Sequence, residues 1–322
     1  MFESLSQIDQ VRLNFNEGGI QVLNFTIALI MFGVALELKP TDFIKLWKNP
    51  KPAFIGILSQ FLLMPVLTFC LVMLLKDFIT PTIGLGMILV AACPGGNISN
   101  FMSSLARGNI ALSVSLTAFA SIASLVLTPL NFAFWGNLFL TVYTNPAGLN
   151  AVPAINIDFW SVMETIVIIL GIPLISGVLF RMKFPKTTDR ILLTVKRISI
   201  GTFIAIIIIL FSGNFDYFIK YIYYIFFIVL AHNALSLMMG YYTGKLAGLN
   251  LQDRKTIAIE TGIQNSGLAM VLLWNPRIFP VDLPVGGMAF IAAWWGVWHI
   301  ISGLTVAGYW SGFSIKSPIK LT

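Results

Sequence analysis

Charge is scarce in this chain. Asp, Glu, Lys and Arg make up 10% of its 322 residues, while 57% are hydrophobic. A soluble domain carries about a quarter charged residues, so too few remain here to coat a water-facing globule. Histidine and cysteine are rarer still, with two of each. Cys70 and Cys93 sit inside apolar runs, which excludes a disulfide framework and reads as packing. His232 and His299 lie in separate runs, so no transition-metal cluster of His and Cys is expected. No HExxH, nucleophile elbow or Ser/His/acid set occurs at a plausible depth, and no enzyme activity is expected. The N-terminus lacks the basic stretch, short apolar core and small-residue cleavage site of a signal peptide.

What is present is a series of apolar runs near twenty residues, the length that crosses about 30 Å of hydrocarbon as helix. The expected fold class is therefore all-α and polytopic, with about nine transmembrane helices. They are read at 21–38, 53–75, 83–105, 111–134, 159–180, 198–215, 221–242, 256–273 and 285–307, with a long polar connection from about Trp135 to Asp158. The net charge of +7 does not point to nucleic acid, because the basic residues cluster in short loops between runs. With the N-terminus outside, Arg12, Lys76, Lys220 and Arg277 face out and the other sixteen of the twenty Lys and Arg face in. That bias predicts an outer N-terminus and a cytoplasmic C-terminus.

Two of these spans are interrupted. In the third, Ile83–Cys93 would form roughly 16 Å of helix before Pro94-Gly95-Gly96-Asn97-Ile98-Ser99-Asn100 breaks it at mid-depth. The eighth repeats the design with Glu260-Thr261-Gly262-Ile263-Gln264-Asn265-Ser266-Gly267. Freed backbone groups at that depth are tolerable only where they line a cavity or bind something. The predicted topology runs the two spans in opposite directions, which is the pattern of an inverted repeat in a secondary transporter. Asn97-Ile98-Ser99 also fits a glycosylation pattern, at a depth that no transferase reaches.

Glu260 is the residue on which function turns. A carboxylate inside an apolar span costs several kcal/mol unless compensated, and no Lys or Arg lies at matching depth in another span. A bound cation, a proton or hydrogen bonds from neighbours each meet that need. Hydroxyls and amides at similar depth (Ser99, Asn100, Ser113, Thr117, Thr261, Gln264 and Asn265) favour a hard cation such as sodium. Glu164, nearer the outer end of its span, reads as interfacial, and His232 beside Asn233 as a helix-packing donor.

The segments 94–100, 106–113 and 260–269, with Trp298-His299, Met31-Phe32-Gly33, Leu38-Lys39-Pro40, Gln60 and Met64-Pro65, resemble the bile acid:sodium symporter family. The resemblance runs over essentially the whole chain, in order. It implies a core domain of spans two, three, four, seven, eight and nine, with two broken crossing helices, and a panel of spans one, five and six. It further implies two sodium sites, the first using Ser99, Asn100, Ser113, Thr117 and Glu260. The second would use Gln60, Glu260, Thr261, Ile263 and Gln264, with Thr261 and Ile263 offering backbone carbonyls. Substrate would sit near Asn97, Asn265 and His299, although His299 serves a structural bond equally well.

The same likeness implies sodium-coupled symport of an organic anion, bile-acid-like or a small carboxylate, by alternating access in a bacterial plasma membrane. No nucleic acid and no obligate protein partner are expected beyond the lipid bilayer. The alternative is a proton-coupled or sodium/proton-exchanging carrier of the same architecture. Two departures stand out. Many bacterial relatives have a further first span, in the panel, and Ile300 stands where they often have asparagine.

Overall fold

In a computed structural model, residues 2–9, 17–38, 41, 48–96, 98–143, 157–213, 215–280 and 283–312 are described. Among these residues the regular structure is helical, which is how backbone amides stay paired in hydrocarbon. The helices are α1 (Phe2–Asp9), α2 (Glu17–Glu37), α3 (Pro50–Leu75), α4 (Pro81–Ala92), α5 (Ser99–Leu105) and α6 (Ile110–Tyr143). They continue with α7 (Phe159–Lys183), α8 (Pro185–Gly213), α9 (Phe215–Leu246), α10 (Leu251–Gly262), α11 (Ser266–Leu273) and α12 (Gly286–Ser311). Five of them, α3, α6, α7, α9 and α12, hold stretches long and apolar enough to cross a membrane outright.

The expected third and eighth spans are each divided in two, α4 with α5 and α10 with α11. Cys93 ends α4 with an extended ψ of 155°, the conformation a following proline imposes. Ile263 ends α10 with φ −106° and ψ 93°, and Asn265 then caps α11 by accepting Leu268 N at 3.1 Å. The connection expected from Trp135 is shorter than its composition suggested, because α6 runs on to Tyr143. Phe139 in that extension is fully buried. The polar Asn137 holds the returning chain, donating to Ile157 O at 2.9 Å and accepting from Ile157 N at 3.2 Å.

Proline shapes α3 in a different way. Pro65 has no N–H to give to Phe61 O, and the helix widens to a π turn over Ser59–Leu63. The Phe61 carbonyl is taken instead by Asn131 Nδ2 from α6, at 3.0 Å. The π turn rotates Ser59 and Gln60 into the interior, where both are buried.

Side-chain contacts define two ends of the bundle. At one end, α1 packs with Leu5 and Ile8 fully buried, Tyr143 Oη donates to Ile79 O at 3.3 Å, and Arg277 pairs with Glu164. At the opposite, basic end, Arg181 donates to Leu36 O, and Lys255 Nζ donates to Ala106 O at 3.0 Å and Trp310 O at 3.3 Å. There Asn109 Nδ2 also reaches Asp253 Oδ1 at 2.8 Å. Across the bundle, α2 packs with α7 and α8. Phe32 meets Phe180 edge-on with centroids 6.1 Å apart, and Ser199 Oγ reaches Leu29 O at 3.4 Å.

Asp9 fastens α1 to the bundle by accepting the hydroxyls of Thr80 and Thr82. Burial pushes its carboxyl up from 3.8 to about 6, against the opposite pull of the Thr82 and Thr80 hydrogen bonds. A carboxyl with a raised value in the docked state favours docking when protonated. That contribution, at most about 3 kcal/mol, is whole below pH 3.8 and is lost as pH rises through about 6. Hydrogen exchange at α1 amides should therefore show protection falling between pH 4 and 7, and Asp9→Asn should flatten the profile. An unchanged slope in that variant would assign the effect to another group.

Candidate ion and substrate site

The two helix breaks cross and pair with each other. Gly95 and Gln264 form an antiparallel bridge, Gly96 N donates to Ile263 O at 2.7 Å, and Asn265 N donates to Pro94 O at 2.8 Å. This short ribbon satisfies backbone groups that neither broken helix could satisfy alone. At the end of α10, Gly262 O accepts Asn233 Nδ2 from α9 at 2.7 Å, and Thr261 O accepts Gln264 Nε2 at 2.9 Å. Asn233 in turn accepts Ser302 Oγ at 2.5 Å, linking α12 to the crossing.

Glu260, in the last turn of α10, is 1% exposed. Ser99 opens α5 and places Oγ 2.8 Å from Glu260 Oε1. Ser113 and Thr117 lie four residues apart and so share one face of α6. Ser113 Oγ sits 2.5 Å from Glu260 Oε1 and 2.8 Å from Asn100 Oδ1. Thr117 Oγ1 sits 3.2 Å from Glu260 Oε2, 3.4 Å from Oε1 and 3.2 Å from Asn100 Oδ1. The structure thus brings together all five residues of the first expected set. Six close oxygen–oxygen approaches are made there by hydroxyls with three hydrogens between them. Even a protonated carboxyl supplies only a fourth. The surplus of lone pairs suits a cation of hard-oxygen preference.

Around the other side of Glu260 lie Gln60, Thr261, Ile263 and Gln264. Gln60 Nε2 and Gln264 Oε1 are buried and have no protein partner. A Cβ at Gly95 would lie 3.0 Å from Gln60 Nε2 and 3.3 Å from both Glu260 O and Oε2. A side chain there would press on Gln60 and Glu260, so glycine eases the close approach of α3, the first break and Glu260. The backbone carbonyls of Thr261 and Ile263 each already accept one protein N–H. A second lone pair remains on each for a further partner. Sequence reasoning passed over Ser59, whose hydroxyl meets Thr261 Oγ1 at 2.8 Å, and the carbonyl-capping role of Asn233. A lone Ser and a lone Asn in apolar runs were the available signals.

Of the expected substrate residues, Asn97 lies outside the described residues. Asn265 sits at the second break with its side chain engaged as the α11 cap. His299 is buried on α12. It is flanked on the same helical stripe by Gly296, beside Ser266 Oγ, and Gly303, beside Ile263 and Met102. His232, the other histidine, pairs with Thr68 Oγ1 at 2.7 Å and packs on Trp295. Thr68 donates to Met64 O, so the His232 Nε2–H is the donor, as a packing role requires. Among the described residues no three of His, Cys, Asp and Glu gather in a metal-binding group.

Known proteins resemble this chain over most of its length. The model of the Sodium Bile acid symporter family matches residues 24–221, more than half of the chain. The Bacillus subtilis protein named "Uncharacterized sodium-dependent transporter YocS" is 33% identical over 285 residues, covering 88% of this chain and 81% of its own. The Arabidopsis thaliana chloroplast protein named "Probable sodium/metabolite cotransporter BASS1" is 30% identical over 89% of this chain and 67% of its own. The ileal sodium/bile acid cotransporter of Oryctolagus cuniculus is 27% identical over 86% of this chain and 78% of its own. With its apolar spanning helices and this match, the chain belongs to the sodium bile acid symporter family, a family of integral membrane, sodium-dependent transporters.

Proposed function

We propose that the protein is a symporter that couples inward movement of sodium to uptake of an organic anion by alternating access. The observation that carries this reading is the Glu260 carboxylate. It is buried and, among the described residues, has no basic partner. Around it stand more oxygen lone pairs than hydroxyl hydrogens. One sodium ion is assigned to Ser99, Asn100, Ser113, Thr117 and Glu260. A second is assigned to Gln60, Glu260, Thr261, Ile263 and Gln264, where two buried amide atoms want a partner. The Gln60 amide turned by half a rotation offers its oxygen there.

One carboxylate shared by two sodium ions leaves a local charge near +1. That charge favours an anion by Coulomb attraction. Asn265, His299 and Asn97 are assigned to the anion, which is bile-acid-like or a smaller carboxylate. Net inward movement of one positive charge draws about 2.3 kcal/mol per 100 mV from the membrane potential, so transport is electrogenic. The moving parts are a panel of α2, α7 and α8 and a core of α3–α6 and α9–α12, within a nine-span topology. Their packing supports this division, since α2 bonds to α7 and α8 through Arg181 and Ser199. The charge asymmetry sets the α1 end outside and the basic end in the cytoplasm.

A proton-coupled carrier is the competing reading. A proton needs one oxygen, not a cage of them, and the crowding of six approaches around Glu260 favours the metal ion. Proteoliposomes given an inward sodium gradient should take up a labelled bile acid or keto acid from a panel of organic anions. An equal potassium gradient, or a pH gradient alone, should drive none. Gln60→Ala should lower the apparent sodium affinity about tenfold while leaving sodium dependence in place. Uptake that follows pH and ignores sodium overturns the proposal.

A further inference from the structure

At the α1 end, α7 touches the turn that follows α11 through two side-chain contacts. Asn275 Nδ2 donates to Thr165 Oγ1 at 2.9 Å, and Arg277 pairs with Glu164 one residue earlier on α7. The first contact is part-buried, with Thr165 3% exposed and Asn275 half-buried. The second lies in the open, with side chains 64% and 56% exposed for Arg277 and Glu164.

The direction of the first contact is fixed. The Thr165 hydroxyl gives its hydrogen to Ser161 O at 2.8 Å, so towards Asn275 it is an acceptor only. Asn275 is used on every side. Its Oδ1 accepts Arg277 N at 2.9 Å, and its carbonyl accepts Ile278 N at 3.0 Å and Phe279 N at 2.9 Å. The turn is thereby a preformed hook, and its Asn275 amide and Arg277 guanidinium reach α7 from one short segment. Neither contact belongs to the ion cage.

We infer that Thr165–Asn275 and Glu164–Arg277 form a latch that closes the substrate cleft at the α1 end and opens once in each transport cycle. The inference rests on the proposed division, because α7 belongs to the panel and the turn continues the core helix α11. The strengths of the contacts suit the task. An exposed ion pair adds little to stability, and a single neutral hydrogen bond adds little more. A latch that must release repeatedly has to be weak, and its geometry supplies register more than energy. Glu164 and Arg277 give it direction, since opposite charges draw the two sides together over a longer range than the Thr165–Asn275 bond does.

Paired cysteines test it. Thr165 and Asn275 side chains meet within hydrogen-bond reach, so cysteines at the two positions can be joined after a small adjustment of the turn. In a background with Cys70→Ser and Cys93→Ala, the pair Thr165→Cys with Asn275→Cys should cross-link on oxidation. Uptake should then fall at least tenfold and return with dithiothreitol. A cross-linked protein that transports at the reduced rate overturns the latch. The reduced protein reports separately on the symporter, since uptake without sodium dependence in that form sinks the symporter and leaves the latch to be judged on access.

Access is read by a membrane-impermeant maleimide applied from the α1 side to Asn265→Cys, whether or not the variant transports. Glu164→Arg should raise its labelling rate at least threefold. Adding Arg277→Glu, which restores an opposite-charge pair in swapped order, should bring the rate back. Labelling indifferent to Glu164→Arg rejects the latch.

Discussion

Glu260→Gln should abolish sodium-driven uptake while leaving the protein folded. The substitution keeps the shape of the side chain and removes its charge. Ser99, Ser113 and Thr117 retain the Gln Oε1 as an acceptor, and Asn100 Oδ1 gains a possible N–H donor. Removing an unpaired buried charge in favour of a neutral, hydrogen-bonded group tends to leave a core as stable or more so. The effect on ions is large. An ion about 4 Å from a unit charge at an effective dielectric near 20 gains about 4 kcal/mol, or about a thousandfold in affinity. Because Glu260 is assigned to both sites, binding of both ions should weaken together.

Melting of the purified protein separates these effects. Sodium at concentrations well above its dissociation constant should raise the melting temperature of the unaltered chain, through preferential binding to the folded state. In Glu260→Gln that increment should vanish while the melting temperature without sodium is kept. Unchanged sodium stabilisation in the variant would remove Glu260 from the ion sites and with it the proposed coupling.

Gly240→Ala should have the second largest effect, and for a steric reason. A Cβ at Gly240 in α9 would lie 2.7 Å from Ala258 Cα, 2.7 Å from Ile257 O and 2.9 Å from Thr261 Oγ1. Two of these three atoms are backbone, so no side-chain rotation relieves the clash. Helix α9 must then back away from α10, at a cost of about 1–3 kcal/mol. The contacted segment is the turn that carries Glu260, and Asn233 on α9 caps its Gly262 carbonyl, so ion affinity should fall along with the melting temperature. Gly201→Ala in α8 is the control, since no atom lies within 4 Å of its added Cβ. It should leave both unchanged or raise stability by up to about 1 kcal/mol. Equal behaviour of the two variants would mean that the α9–α10 contact is loose enough to admit a methyl group at Gly240.

Much of the site could be read before any coordinates. Pro94 with Gly95 and Gly96 ends a helix wherever it stands, because the missing N–H and the entropy of glycine act within a turn of the chain. The same holds for Asn265 as a cap. An isolated Glu among apolar residues announces a need for compensation, and its hydroxyl and amide neighbours narrow the choice. The resemblance to the family then named Gln60, which composition alone would have left as one amide in an apolar run. Local reading failed at Trp135–Tyr143, where polar residues suggested a loop. There Phe139 and the Asn137–Ile157 contact carry the helix onward, a gain that depends on what α4 and the returning chain offer.

By itself, then, the sequence determined a membrane-spanning helical chain, the two places where helices must stop, and the one acid that needs an ion or its equivalent. Those follow from backbone chemistry and solvation, which act over a few residues or over total composition. Only the tertiary structure decided that the two breaks pair through Gly95 and Gln264, and that a π turn swings Gln60 towards Glu260. It alone set Asn275 against Thr165, 110 positions away. Such meetings depend on crossing angles and close approaches between helices distant in the chain, to which no short stretch of residues has access.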